Sequence, residues 1–101
     1  MSKVEKRVRA GIQFLDKQYG RKWREKVDLD RLNMVSCFDC LLGQIMENYD
    51  SHLKKLGLTS DRAADLGFDL STEDIFSIWG SFAQWQDLTQ TWRRVLRKEG
   101  K

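Results

Sequence analysis

The chain has 101 residues, 41% of them hydrophobic, with two cysteines, no proline and a formal net charge of +3. A chain of that size forms one small domain and buries well over half of its unfolded surface, so folding requires no metal or disulfide. It holds no run of about eighteen apolar residues to span a membrane, and Met1–Gly11 lacks the apolar core of a secretion signal, so a cytoplasmic protein is expected.

The charge is unevenly spread. Residues 1–27 carry nine Lys/Arg against three acids, residues 28–90 carry four against eleven, and residues 91–101 carry five against one. Basic ends therefore flank an acidic middle. The plain reading is attraction within the fold and a solvated surface, where individual ion pairs are weak.

Ser2 and Glu5 have capping-box spacing and predict a first helix over about Lys3–Tyr19, stopped by Gly20. Val4, Val8, Ile12, Leu15 and Tyr19 share one face of it, while Lys3, Lys6, Arg7, Arg9 and Lys17 take the other. Phe14 falls outside the stripe, where it suits a second neighbour or a partner. In the following connection Trp23, Val27, Leu29, Leu32 and Met34 are apolar anchors among charges, with short helical turns expected near Arg21–Lys26 and Asp30–Asn33.

The stretch Ser36–Gly57 has the strongest pattern. Ser36 suits an N-cap, Asp39 an acid in the first turn, and Gly57 a left-handed stop. Phe38, Leu41, Leu42, Ile45, Met46, Tyr49, Leu53 and Leu56 fall in an arc of about 140° at helical period, with Cys40, Glu47 and Lys54 opposite. One long central helix over about residues 37–56 is predicted. Beyond it, Thr59 or Ser60 caps a short helix that Gly67 ends. Ser71 or Thr72, with Glu73 and Asp74 behind, begins a last apolar-periodic segment running to Leu96, in which Gly80 and Ser81 predict a break or kink. Within it Ile75–Trp79 also reads as a strand, being β-branched and aromatic. The whole predicts an all-α domain over residues 1–101, a compact bundle of four to five helices around the central one.

Cys37 and Cys40 invite a metal, which needs two further ligands. The single histidine, His52, lies twelve residues beyond Cys40. On one continuous helix that is about 18 Å, against metal–ligand bonds of about 2 Å. A Cys37/Cys40/His52 site is thus excluded if the helix is continuous; carboxylates such as Asp28 or Asp30, or a second chain, are other ligand sources. A redox pair is the second option, without the βαβ setting it usually has. The plain reading packs Cys37 at the core edge, leaves Cys40 incidental, and buries His52 with one hydrogen bond. The glycines are isolated, so no phosphate loop exists. No catalytic residue, cofactor or metal is assigned, and the protein is expected not to be an enzyme.

Two binding surfaces are left. Arg93, Arg94, Arg97 and Lys98 lie away from Trp92 and Leu96, and Lys6, Arg7 and Arg9 give the first helix a similar face. Adjacent ends would merge them into one surface for DNA or RNA phosphates. A helix-turn-helix around Ala63–Ile75 is a poor fit, because its reading helix begins with acids. The second surface is aromatic. Core packing accounts for Trp92, whereas Phe76 with Trp79, or Phe82 with Trp85, suits an exposed patch of the kind that anchors protein interfaces. Protein binding is the leading expectation and nucleic-acid binding the alternative.

The motifs GIQFLD (Gly11–Asp16), Trp23, VDLDRL (Val27–Leu32), CFDCLLGQ (Cys37–Gln44), Tyr49, LGL (Leu56–Leu58), LGFD (Leu66–Asp69) and DLTQTWR (Asp87–Arg93) span most of the chain. In them it resembles a family of short uncharacterised proteins of Gram-positive and actinobacterial phages and prophages. Leu70–Gln86 carries none of these motifs. The expected partner is a bacterial host or phage protein, in a bacterial or infected host cell, and the resemblance implies a phage or prophage setting. It implies no activity and no catalytic residues.

Overall fold

The structure is a computed structural model that describes residues 2–36, 38–45, 49–70 and 81–100, and of residues 49, 50, 60, 81 and 82 the backbone alone. It is an all-α bundle: α1 (Lys3–Tyr19), a 3-10 helix (Arg21–Lys26), α2 (Leu41–Ile45), α3 (Tyr49–Leu56), α4 (Ser60–Asp65) and α5 (Ser81–Lys98). The radius of gyration is 12.5 Å, close to the ~13 Å of a compact chain of this length. No helix among the described residues is long and apolar enough to cross a membrane.

The first helix has the limits its sequence predicts. Extended Ser2 accepts a hydrogen bond from the Glu5 N–H through its hydroxyl at 3.1 Å, and Gly20 closes the helix at a φ of 70°. Val8, Ile12 and Leu15 are buried. Phe14 finds its second neighbour in Phe68, edge-to-face with ring centroids 6.3 Å apart. The 3-10 helix then carries Trp23 and Arg24 inward. Asp16 receives both, from the Trp23 indole N–H at 2.8 Å and from Arg24 Nη2 at 2.8 Å. Arg24 reaches on to Glu99 beyond the end of α5, at 3.0 Å. That guanidinium is 5% exposed, so its two carboxylates offset a desolvation penalty that would otherwise unfold the site.

The central rod is not formed as predicted. The helix begins at Leu41, and Asn33, Ser36 and Asp39 explain the delay. The Asn33 side chain accepts from the Val35 N–H, and the Ser36 hydroxyl from the N–H groups of Phe38 and Asp39. Ser36 does act as a cap, accepting from Asp39 N–H through its hydroxyl and from Cys40 N–H through its carbonyl at 3.0 Å, but only this single turn forms before the helix proper at Leu41. Phe38, expected in the apolar stripe, is 66% exposed, while Cys40, expected on the outer side, is buried.

Further on the rod doubles back. His52 Nδ1 lies 3.0 Å from the Leu42 carbonyl oxygen; in a straight helix those residues would be about 15 Å apart along the axis. The chain therefore reverses between α2 and α3. Lys54 is exposed, as the pattern requires, and Gly57 ends α3 at a φ of 69°, with Leu58 N–H donating to Leu53 and Gly57 N–H to Lys54.

Thr59 caps α4 by accepting from Arg62 N–H at 3.2 Å, and Gly67 ends it at a φ of 76°. The described part of the last segment is α5 from Ser81; the Gly80 side of the expected break and the strand reading of Ile75–Trp79 lie outside the described residues. Trp92 of α5 is fully buried, donates its indole N–H to the Gly67 carbonyl at 2.6 Å and stacks on Phe68 at 6.0 Å. Beneath it lies Gly11 of α1, where a Cβ would overlap the Leu66 carbonyl oxygen and sit 3.0 Å from Trp92 Cη2.

Two effects oppose at that position. Helix propensity favours Gly11→Ala by about 1 kcal/mol, while overpacking against a backbone carbonyl and a fixed indole costs about 1–3 kcal/mol or more. Urea denaturation is expected to show a net loss of stability for Gly11→Ala; a variant as stable as the parent would disprove the close approach.

Candidate functional site

Helices α1 and α5 do pack together, as a shared basic surface requires, but they spend several of their arginines on each other. Arg94 meets Glu5 at 2.8 Å, and Arg9 bridges Glu5 at 3.2 Å and Glu99 at 3.6 Å. Arg94 first, then Arg9, hold the Glu5 carboxyl below its ordinary pKa. Arg93 donates to the carbonyls of Leu29 and Leu32, at 2.8 and 3.0 Å, and so fixes the loop after the 3-10 helix. Arg97 pairs with Asp30 at 3.1 Å. Arg7 is half-buried, and Lys6 and Lys98 are exposed. Much of the basic face is thereby an internal clasp.

Of the aromatic candidates, Phe76 and Trp79 lie outside the described residues. Phe82 is placed in the first turn of α5 by its backbone. Trp85 is half-buried and packs on the core edge. Trp23 joins Trp92 inside the core.

Trp85 also lines a groove of about 440 Å³ between α5 and the loop after the 3-10 helix, shared with Val35, Asn33, Gln86 and Gln90. Val35 is 53% exposed. The loop is held from both sides: Met34 N–H donates to the Thr89 hydroxyl at 3.0 Å, and the Gln44 side chain ties the Asp28 and Asp39 backbones to α2. Sequence reasoning missed Val35 and Phe38 because it placed the second inside a helix. The cluster Asn33, Ser36 and Asp39 was the available signal for a turn.

The cysteine and histidine geometry changes with the fold. Cys37 lies outside the described residues. The Cys40 sulfur is buried and accepts from the Gly43 N–H at 3.3 Å. With the rod doubled back, distance along a helix no longer excludes His52 as a partner for a metal. Its hydrogen bonds now account for it instead. The Leu42 carbonyl can only accept, so Nδ1 carries the proton; Nε2, 2.8 Å from Tyr19 Oη, then accepts from the phenol. Both ring nitrogens of a fully buried imidazole are engaged, where one hydrogen bond was expected. Among the described residues no three of His, Cys, Asp and Glu are grouped to hold a metal ion.

Burial lowers the His52 pKa below its ordinary value and the Lys55 charge adds to that, while the Leu42 hydrogen bond acts the other way. Burial raises the Tyr19 phenol. In comparison with known proteins, no family model, no curated protein and no solved structure matches the chain.

A histidine whose folded-state pKa is depressed binds its proton more readily when unfolded, so its contribution to stability is complete above about pH 6.5 and is lost as pH falls toward the folded value. Denaturation midpoints measured from about pH 8 down to about pH 5 are expected to fall across that window, ahead of the carboxylates. His52→Gln should flatten this slope; an unchanged slope would remove His52 as its source.

Proposed function

We propose that the protein is a non-enzymatic accessory protein of phage or prophage type that binds a bacterial host or phage protein in the cytoplasm. The observation that carries this reading is the exposure of Val35 and Phe38, at 53% and 66%, on a turn that side-chain hydrogen bonds hold rigid. A large apolar side chain in water on a fixed backbone loses little entropy when a partner covers it. Trp85 lies in the groove that Val35 borders, and the amides of Asn33, Gln86 and Gln90 around it can pair with a partner's backbone. The partner segment that fits is an extended peptide presenting one large apolar side chain. The exposed cations of the terminal helices, Lys6 and Lys98, favour an acidic partner on approach. The binding reading is further supported by His52, whose two nitrogens are both spent on structure.

Panning a displayed random-peptide library against the protein tests this. Selected peptides are expected to share an apolar anchor, and Val35→Ser with Phe38→Ser should weaken their binding by about thirtyfold, the effect of a hot spot. Both residues are exposed, so stability should move by no more than about 0.5 kcal/mol. Peptides without an apolar anchor, or indifferent to the double substitution, would refute the proposal.

A further inference from the structure

Tyr19 is oriented against the usual habit of its residue type. A surface tyrosine ordinarily buries its ring and holds its hydroxyl in water. Here the hydroxyl points inward to the fully buried His52, while the side chain remains 39% exposed. The ring is tilted 54° to the imidazole at 5.7 Å, and the imidazole is itself tied to the Leu42 carbonyl. An exposed aromatic ring is thus fastened in one orientation from behind.

The ring borders a pocket of about 310 Å³ completed by Lys22, Trp23 and Lys26 of the 3-10 helix, Ile45 of α2 and Lys55 of α3. Three lysines line it and no acid does. Elsewhere the ion pairs of the described residues match arginines to carboxylates: Arg31, Arg94 and Arg97 each have one and Arg9 and Arg24 each have two. Among the described residues no carboxylate lies within ion-pair distance of Lys22, Lys26 or Lys55. Like charges gathered at a concave surface repel one another and raise the local concentration of anions. The doubling back of the rod is what brings Lys55 to the other two, so no linear motif announces the site.

We propose that this pocket binds a nucleotide, with the phosphate among Lys22, Lys26 and Lys55 and the base against the ring of Tyr19. The volume is at the lower end of small-molecule sites, about 300–1,000 Å³, which fits one nucleotide and no larger cofactor. A free mononucleotide and a nucleotide within a single strand present the same phosphate and planar base, and stacking of a base on an aromatic ring is tolerant of sequence. The site is separate from the basic faces of α1 and α5 and from the Val35–Phe38 turn, so it stands or falls independently of the proposed protein binding.

Because the chain has one histidine, its ring resonances report directly on the pocket wall. The full chain is titrated with adenosine monophosphate, a short single-stranded oligonucleotide, ribose 5-phosphate and inorganic phosphate, following His52 by NMR. Saturable binding of the mononucleotide or of the oligonucleotide is expected, with displacement of the His52 signals; whichever binds more tightly identifies the source. Ribose 5-phosphate and inorganic phosphate should bind about tenfold more weakly, having no base to stack. Replacing Lys22, Lys26 and Lys55 together by Gln should weaken binding about tenfold or more. These lysines are exposed, so the fold should be kept, while Lys3→Gln with Lys54→Gln, exposed lysines that do not line the pocket, should leave binding unchanged. No saturable binding, inorganic phosphate binding as tightly as the nucleotides, or equal loss in both sets of lysine variants would overturn the proposal.

Discussion

A buried imidazole with a carbonyl on one nitrogen and a phenol on the other is the constraint that shapes one half of this molecule. His52 cannot reach both Leu42 and Tyr19 unless the chain reverses between α2 and α3. Once it does, three segments distant in sequence are joined: the end of α1, the start of α2 and the middle of α3. An unpaired polar group at that depth would cost about 1–3 kcal/mol, so a neutral ring with both nitrogens satisfied is the arrangement burial selects. It also decides which side of Tyr19 faces water.

The other half is held by shape. Trp92 fills a notch that Gly11 in the middle of α1 leaves open, and its indole N–H donates to the carbonyl of Gly67 after α4. Gly67 needs its left-handed backbone, but it is also packed so closely on Val8 that a Cβ would lie 3.1 Å from that residue's backbone. Arg24 closes the far side, linking Asp16 on α1 with Glu99 after α5. Removing both carboxylates would strand a charge that is almost wholly buried, a loss of about 3–5 kcal/mol. The clasp of Glu5, Arg9, Arg94 and Glu99 is more exposed and contributes correspondingly less.

Local signals were legible and long-range ones were not. Ser2 and Gly20 bound α1, and Thr59 and Gly67 bound α4, because caps and left-handed glycines act within one turn. Apolar periodicity over Ser36–Gly57 misled for a physical reason. Leu41, Leu42 and Ile45 are core residues in a straight rod and equally in a bent one, since the same faces meet the core either way. What distinguishes the two is a hydrogen bond across ten residues, and spacing does not encode it. The basic faces of the terminal helices were visible as composition, but their pairing with Glu5, Glu99 and Asp30 depends on packing. Phe38 was visible as an aromatic and misplaced because the single turn that Ser36 caps leaves it facing water.

The nitrogen-15 shifts of the His52 ring test this account most directly. Donation to the Leu42 carbonyl requires the proton on Nδ1, with Nε2 accepting from Tyr19. A neutral ring protonated at Nδ1, with that proton slow to exchange, is the predicted result. A ring protonated at Nε2, or one exchanging freely with water, would mean that the chain does not double back and that Tyr19 is not held from behind.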